Sequence, residues 1–224
     1  MKSTHIKEIL DELNSSQIIK KKRERAVFSN GTNFYKVWVE GWISGKIPKH
    51  CFETGFYNSS NTDSVFTLLH DDSGPRGYVQ KAGVRLFPGG DNKSWGSRID
   101  AAGRDIISKF LKDAMSLSIE KDGTFADFVP SNLILYNDKI NFIDLESFRS
   151  FDFIFDGSPK HFENFDLNAW WKPLETAQRD VNKFFKSCFS DCLGIDLDFN
   201  IDSRENFERA YATLVERFPT GASL

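Results

Sequence analysis

Apolar residues recur along this chain with two different periods, and the change between them divides it. Ile6, Ile9, Leu10 and Leu13 fall at helical spacing among charged residues, which predicts a short amphipathic helix over residues 3–14. Charged, β-branched and aromatic residues then alternate through QIIKKKRERAVFSNGTNFYKVWVEGW, around a turn at Asn30 and Gly31, and predict two or three antiparallel strands. A short helix is expected over residues 47–57. SVFTLLH (64–70) and RGYVQKA (76–82) read as two more strands, separated by the turn-forming DDSGP. The first part of the chain is therefore mostly β.

Beyond the Gly-rich FPGGDNKSWGS the period lengthens. Ile99, Ile106, Ile107, Phe110, Leu111 and Met115 predict a long helix from about residue 98 to 119. LIL (133–135) and INFI (140–143) flank YNDK, whose Asn137 and Asp138 suit a tight turn, so this pair reads as a β-hairpin. FDGSPKHFENFD is irregular. LETAQRDVNKFFKSCF and SRENFERAYATLVERF predict two further helices, with Ser203 and Asn206 as candidate caps. The fold class is α+β, β-rich first and helical second, with a seam near residues 82–92 and no internal repeat.

Composition narrows the setting. The chain has 224 residues, 40% of them hydrophobic, enough to bury a substantial core, and its 22 Phe residues are assigned to aromatic packing there. A net charge of −3 gives no general argument for nucleic-acid binding. The local run KKKRER (Lys20 to Arg25) reads either as a solvated strand face or as a holder of phosphate or an anionic substrate. Cys51, Cys188 and Cys192 make no metal or redox motif and fit reduced thiols. No signal peptide and no long apolar span is present, so a cytoplasmic protein without a transmembrane segment is expected.

The hairpin carries the candidate chemistry. Asp127 and Asn132 stand just before its first strand and Asp144 just after its second. A hairpin returns its outer ends to one side, which would bring three oxygen-bearing side chains together, and convergent hard-oxygen donors suit Mg²⁺.

A β-rich lobe, a long helix, DFVPSN (127–132), a hairpin and IDLES (143–147) together resemble the protein-kinase-like superfamily. Within it, the D-x-E form of Asp144 and Glu146 is most similar to the lipopolysaccharide-core sugar kinases and the aminoglycoside and choline phosphotransferases. The resemblance implies one kinase-like domain over residues 1–224, with an antiparallel β-rich N-lobe (1–82) and a small, mainly helical C-lobe (83–224). It implies ATP and Mg²⁺ as cofactors and assigns Asp127 as catalytic base. Asn132 would assist catalysis and hold the metal with Asp144. Glu146 would aid the metal directly or through water, or is a surface carboxylate. Lys36 would contact the nucleotide phosphates, since Phe34, Lys36 and Trp38 share a strand face and a lysine there needs a partner. Glu53 is the expected partner of Lys36, with Glu40 as the alternative. Backbone groups of Gln80, Lys81 and Ala82 would line the adenine slot.

The chain departs from the family pattern at several points. No G-x-G-x-x-G precedes Lys36, Phe125 stands where a His is usual, Val129 takes the place of a Lys or His, and no A-P-E follows Asp144. The implied activity is ATP-dependent phosphorylation of a hydroxyl on a sugar or glycan, a small-molecule acceptor. The alternatives are a minimal Ser/Thr protein kinase and a catalytically inactive nucleotide-binding scaffold. Around the acceptor, His161 reads as a solvated loop residue. Trp170 and Trp171 point different ways on a helix, so at least one belongs to the core.

Overall fold

Strands in the first part of the chain can pair because alternate side chains share one buried face. The computed structural model describes residues 3–21, 25–38, 66–72, 74–85, 103–127, 132–137, 139–142, 148–157 and 174–219. They form an α+β protein of two units, Met1–Val84 and Arg85–Leu224.

The N-terminal unit is a six-stranded sheet. Its strands are β1 (Ser3–His5), β2 (Gln17–Lys21), β3 (Arg25–Ser29), β4 (Asn33–Trp38), β5 (Phe66–Asp71) and β6 (Gly74–Lys81), in the order β1-β5-β6-β4-β3-β2. β1 runs parallel to β5, and the other neighbours are antiparallel. The β3–β4 turn is fixed by Asn30, whose side-chain oxygen accepts from the backbone N–H of Thr32 (3.0 Å) and Asn33 (2.8 Å). One sheet face carries a core of Ile9, Tyr35 and Leu69, against which Leu13, Phe28, Val37 and Val79 pack. Helix α1 (Leu10–Ser15) lends Glu12, which accepts a hydrogen bond from the buried Tyr35 hydroxyl. Burial and that bond raise the Tyr35 pKa above its ordinary value. β4 and β6 approach so closely that a Cβ on Gly77 would lie 2.0 Å from the Lys36 carbonyl oxygen.

The expected helix over residues 3–14 is shorter. Ser3–His5 pairs with Leu68–His70, and a 3₁₀ turn, Ile6–Ile9, precedes α1. The His5 ring caps that turn by accepting from the Lys7 N–H at 3.2 Å. Pairing with a distant strand has overridden local helical spacing. The helix expected over residues 47–57 lies outside the described residues.

The C-terminal unit is built on α2 (Arg104–Glu120), which buries Ile107, Phe110, Leu111, Met115 and Leu117. After it comes a short strand, β8 (Gly123–Phe125), and then the hairpin of β9 (Leu133–Tyr136) and β10 (Lys139–Phe142). β11 (Phe148–Ser150) pairs antiparallel with β8. A short strand, β7 (Val84–Arg85), falls where the two units divide. Helices α3 (Phe151–Asp156), α4 (Leu174–Ser187) and α5 (Arg204–Arg217) complete the unit, with a π-turn (Cys188–Leu193) extending α4. Ser203 caps α5 by accepting from the Asn206 N–H at 3.1 Å, whereas Asn206, the other candidate cap, turns its side chain to Asp202.

Phe content is spent here on packing. The rings of Phe151, Phe207, Phe185 and Phe184 follow one another at centroid distances of 5.0–5.1 Å and tie α3, α5 and α4 together. Cys188 and Cys192 are buried free thiols, and burial pushes the Cys188 thiol up. Among the described residues, no helix is long and apolar enough to cross a membrane.

Candidate active site

Asp127 stands two residues beyond β8, and Asn132 immediately precedes β9. The Asn132 side-chain amide donates to the Asp127 backbone carbonyl at 3.1 Å and to its carboxylate Oδ2 at 3.3 Å. A carbonyl only accepts, so the amide nitrogen is the atom that faces Asp127. Asn132 Oδ1, the acceptor of the same group, is thereby directed away from those two oxygens. One side chain thus fixes the carboxylate of Asp127 and presents an oxygen of its own.

The hairpin gives this pair its footing. Leu133 lies opposite Phe142 and Tyr136 opposite Lys139, leaving Asn137 and Asp138 as a two-residue connection. Asn137 has φ of 49°, a left-handed conformation that Asn tolerates better than most residues. Leu133, Ile134 and Ile140 are buried, which anchors both strands beneath the polar ends.

A second pair of strands brackets the same loop. Phe125 on β8 lies opposite Phe148 on β11, and their rings meet edge to face at 5.5 Å, both buried. Phe125 is therefore an apolar anchor two residues before Asp127. β8 and β11 also come very close at Gly123, where a Cβ would lie 2.4 Å from the Arg149 carbonyl oxygen. The sequence analysis missed both strands. The one legible signal was the turn-like DG at Asp122 and Gly123 followed by Thr124 and Phe125.

Below the hairpin, Asp113 on α2 is exposed at the surface yet partly desolvated by its surroundings, and it feels the charges of Lys109, Lys112 and Lys139. Partial desolvation dominates and raises its carboxyl pKa above the ordinary 3.8, against the opposing pull of the three lysines.

In the N-terminal unit, Lys36 occupies β4, with Val27 of β3 on one side and Tyr78 of β6 on the other. Its Nζ is 5.5 Å from the centroid of the Tyr78 ring, a cation–π contact. The register also pairs Phe34 with Gln80, so Phe34, Lys36, Tyr78 and Gln80 share the sheet face opposite Tyr35 and Val37. The structure thus brings Lys36 and buried Gln80 to one face. Lys81 pairs with Asn33 and alternates to the other face. The Ala82 N–H donates to the Thr32 carbonyl at 2.9 Å and is engaged inside the unit.

Glu40, Glu53, Pro130, Asp144, Glu146, His161, Trp170 and Trp171 lie outside the described residues. Among the described residues, no three His, Cys, Asp or Glu side chains are grouped to hold a metal ion. The donors that are placed, the Asp127 carboxylate and the Asn132 amide oxygen, are hard oxygens of the kind Mg²⁺ prefers. No protein-family model matches this chain, and no curated protein matches it either.

Proposed function

We propose that this protein is an ATP- and Mg²⁺-dependent phosphotransferase with a two-lobed kinase-like fold, acting on a hydroxyl of a sugar or glycan. The observation that carries this reading is the double hydrogen bond from Asn132 to Asp127 at the open end of an antiparallel hairpin. It gives the Asp-x-x-x-x-Asn spacing a physical purpose. A carboxylate held by an amide is oriented to receive the acceptor hydroxyl and take its proton as the new O–P bond to the γ-phosphorus forms and the β–γ P–O bond breaks, releasing ADP. Asn132 Oδ1, with Asp144 and Glu146, would hold Mg²⁺, which when bound neutralises charge on the nucleotide phosphates. Lys36, half-buried on a central strand beside Tyr78, is the cation that the kinase-like resemblance assigns to the nucleotide phosphates. The absence of an A-P-E motif after Asp144 favours a small acceptor over a peptide.

A non-catalytic nucleotide-binding reading draws on one feature. Phe125 is buried against Phe148 and offers the loop no polar group from its side chain.

Thermal shift with ATP, with and without Mg²⁺, followed by labelled-ATP assays over a panel of sugars, separates the two. The phosphotransferase reading requires a Mg²⁺-dependent shift and label transfer that Asp127→Asn abolishes while keeping the shift. Equal turnover by both proteins removes Asp127 from catalysis. Nucleotide binding without transfer to any acceptor favours the scaffold.

A further inference from the structure

Asn30 and Gly31 form the only Asn-Gly step in the chain, and both are exposed at the tip of the β3–β4 turn. In such a step the side-chain Cγ of Asn and the backbone nitrogen of Gly can close a succinimide ring, because only Cβ, Cα and the carbonyl carbon lie between them. Glycine hangs no side chain over that nitrogen. Where a Cβ would stand on Gly31, at φ of 86°, nothing lies within 4 Å.

The turn places a partner at each atom where ring closure moves charge. The Gly31 N–H, which must lose its proton to attack, donates to Ser29 Oγ at 3.1 Å. Asn30 Oδ1, where negative charge develops as Cγ becomes tetrahedral, accepts from the Thr32 and Asn33 N–H groups at 3.0 and 2.8 Å, as in an oxyanion hole. Asn30 Nδ2, which must leave with an added proton, donates to the Tyr35 oxygen at 2.9 Å, and the proton of that phenol is turned to Glu12. Tyr35 keeps its proton at neutral pH, since burial and Glu12 both raise its pKa. These bonds fix the turn, and they also polarise nucleophile, carbonyl and leaving group together.

We propose that Asn30 is a self-modification site, at which the folded turn converts the side-chain amide into aspartate and isoaspartate with water as the only co-reactant. The Gly31 nitrogen bonds to Asn30 Cγ and passes its proton by way of Ser29 Oγ to solvent. The Cγ–Nδ2 bond breaks, and the nitrogen departs as ammonia with a proton from Tyr35, which solvent replaces. Water then opens the ring. Attack at Cγ gives aspartate, and attack at the former backbone carbonyl gives isoaspartate, with the main chain rerouted through Cβ. Neither product donates to Tyr35 as the Asn30 amide does, and aspartate sets a second carboxylate beside Glu12. Isoaspartate also lengthens the turn, against the Asn30 N–H bond to the Asn33 carbonyl (3.3 Å) and the Ala82 N–H bond to the Thr32 carbonyl (2.9 Å). Conversion thereby weakens the hold of α1 on the sheet. The site is independent of the phosphotransfer reading.

The test incubates the purified full chain in neutral buffer made with isotopically heavy water oxygen, then locates amide-to-acid conversion by digestion and mass spectrometry. An isoaspartate-specific methyltransferase measures the isoaspartate. A synthetic peptide of residues 27–37 sets the rate without the fold. Conversion at Asn30, with uptake of heavy oxygen, is expected to run about tenfold faster in the folded chain than in the peptide. Ser29→Ala and Tyr35→Phe should each slow it about tenfold in the folded chain. Tyr35→Phe changes a buried position, so Ser29→Ala, at a partly exposed one, decides the matter if the former fails to fold. Asn30→Asp should melt below the wild type, as the aged protein does. Conversion no faster in the folded chain than in the peptide, rates indifferent to the substitutions, no conversion at Asn30, or an Asn30→Asp protein as stable as the wild type would each overturn it.

Discussion

The amide of Asn132 reaches two oxygens of Asp127, the backbone carbonyl at 3.1 Å and the carboxylate at 3.3 Å. Removing it in Asn132→Ala should cost about 1–2 kcal/mol of stability, which lowers the melting temperature by roughly 2–8 °C in a chain of this size. Asn132→Asp should be worse near neutral pH, because it sets a carboxylate against groups that only accept. That extra deficit should shrink below about pH 4, where protonation restores a donor. Thermal melts of the three proteins across pH check both statements.

Phe125 and Phe148 are both buried and meet edge to face. Phe125→Ala and Phe148→Ala should each destabilise the protein by about 3–5 kcal/mol, the range for emptying a buried aromatic site. Their effects should not add, since the ring pair itself is worth about 0.5–1.5 kcal/mol. A double-mutant cycle by urea unfolding measures the coupling, and strict additivity would contradict the contact.

Gly77 sits where a Cβ would meet the Lys36 carbonyl oxygen at 2.0 Å. Gly77→Ala must therefore push β6 away from β4, at a cost of about 3 kcal/mol. Because Lys36 lies on β4, the proposed contact of Lys36 with nucleotide phosphates predicts that the same substitution also weakens any thermal shift with ATP. Chemical denaturation and nucleotide titration of Gly77→Ala give the two readings.

Asp113 has a folded-state pKa raised above its ordinary value by partial desolvation. Such a group binds its proton more tightly in the folded protein, so its contribution is fully present below the ordinary value and is lost as pH rises through the folded one. At neutral pH its charge therefore opposes folding. Asp113→Asn should raise stability only slightly at neutral pH, because the side chain is exposed and solvent screens its charge, and the gain should vanish in acid, where the wild-type carboxyl is already neutral. Melting curves for both proteins from neutral to acid pH test the sign.

Legibility in the sequence followed the range of the interactions involved. Alternation in VFSNGTNFYKVW located β3 and β4, because each strand's buried face is written in its own residues. Ser3, Thr4 and His5 carry no such pattern, and they are a strand only because Leu68, Leu69 and His70 lie beside them. Gly123–Phe125 and Phe148–Ser150 are three residues each and buried throughout, too short to show any period. The π-turn at Cys188–Leu193 likewise has no local signature and read as the end of an ordinary helix. At the candidate site, the nearness of Asp127 and Asn132 was legible because only five positions separate them, whereas the hydrogen bonds from the Asn132 amide to Asp127 were not. Nor was the engagement of the Ala82 N–H, because a backbone group leaves no mark in side-chain chemistry.

The β8–β11 pairing has a further implication for how this protein can change. It fastens both ends of the excursion that carries Asp127, Asn132 and the hairpin, while the Phe151, Phe207 and Phe185 rings hold the helices that follow. Change between the two fastened ends is therefore tolerated unevenly: the buried Leu133, Ile134 and Ile140 belong to the part of the molecule that keeps it folded, whereas the exposed tip at Asn137 can vary.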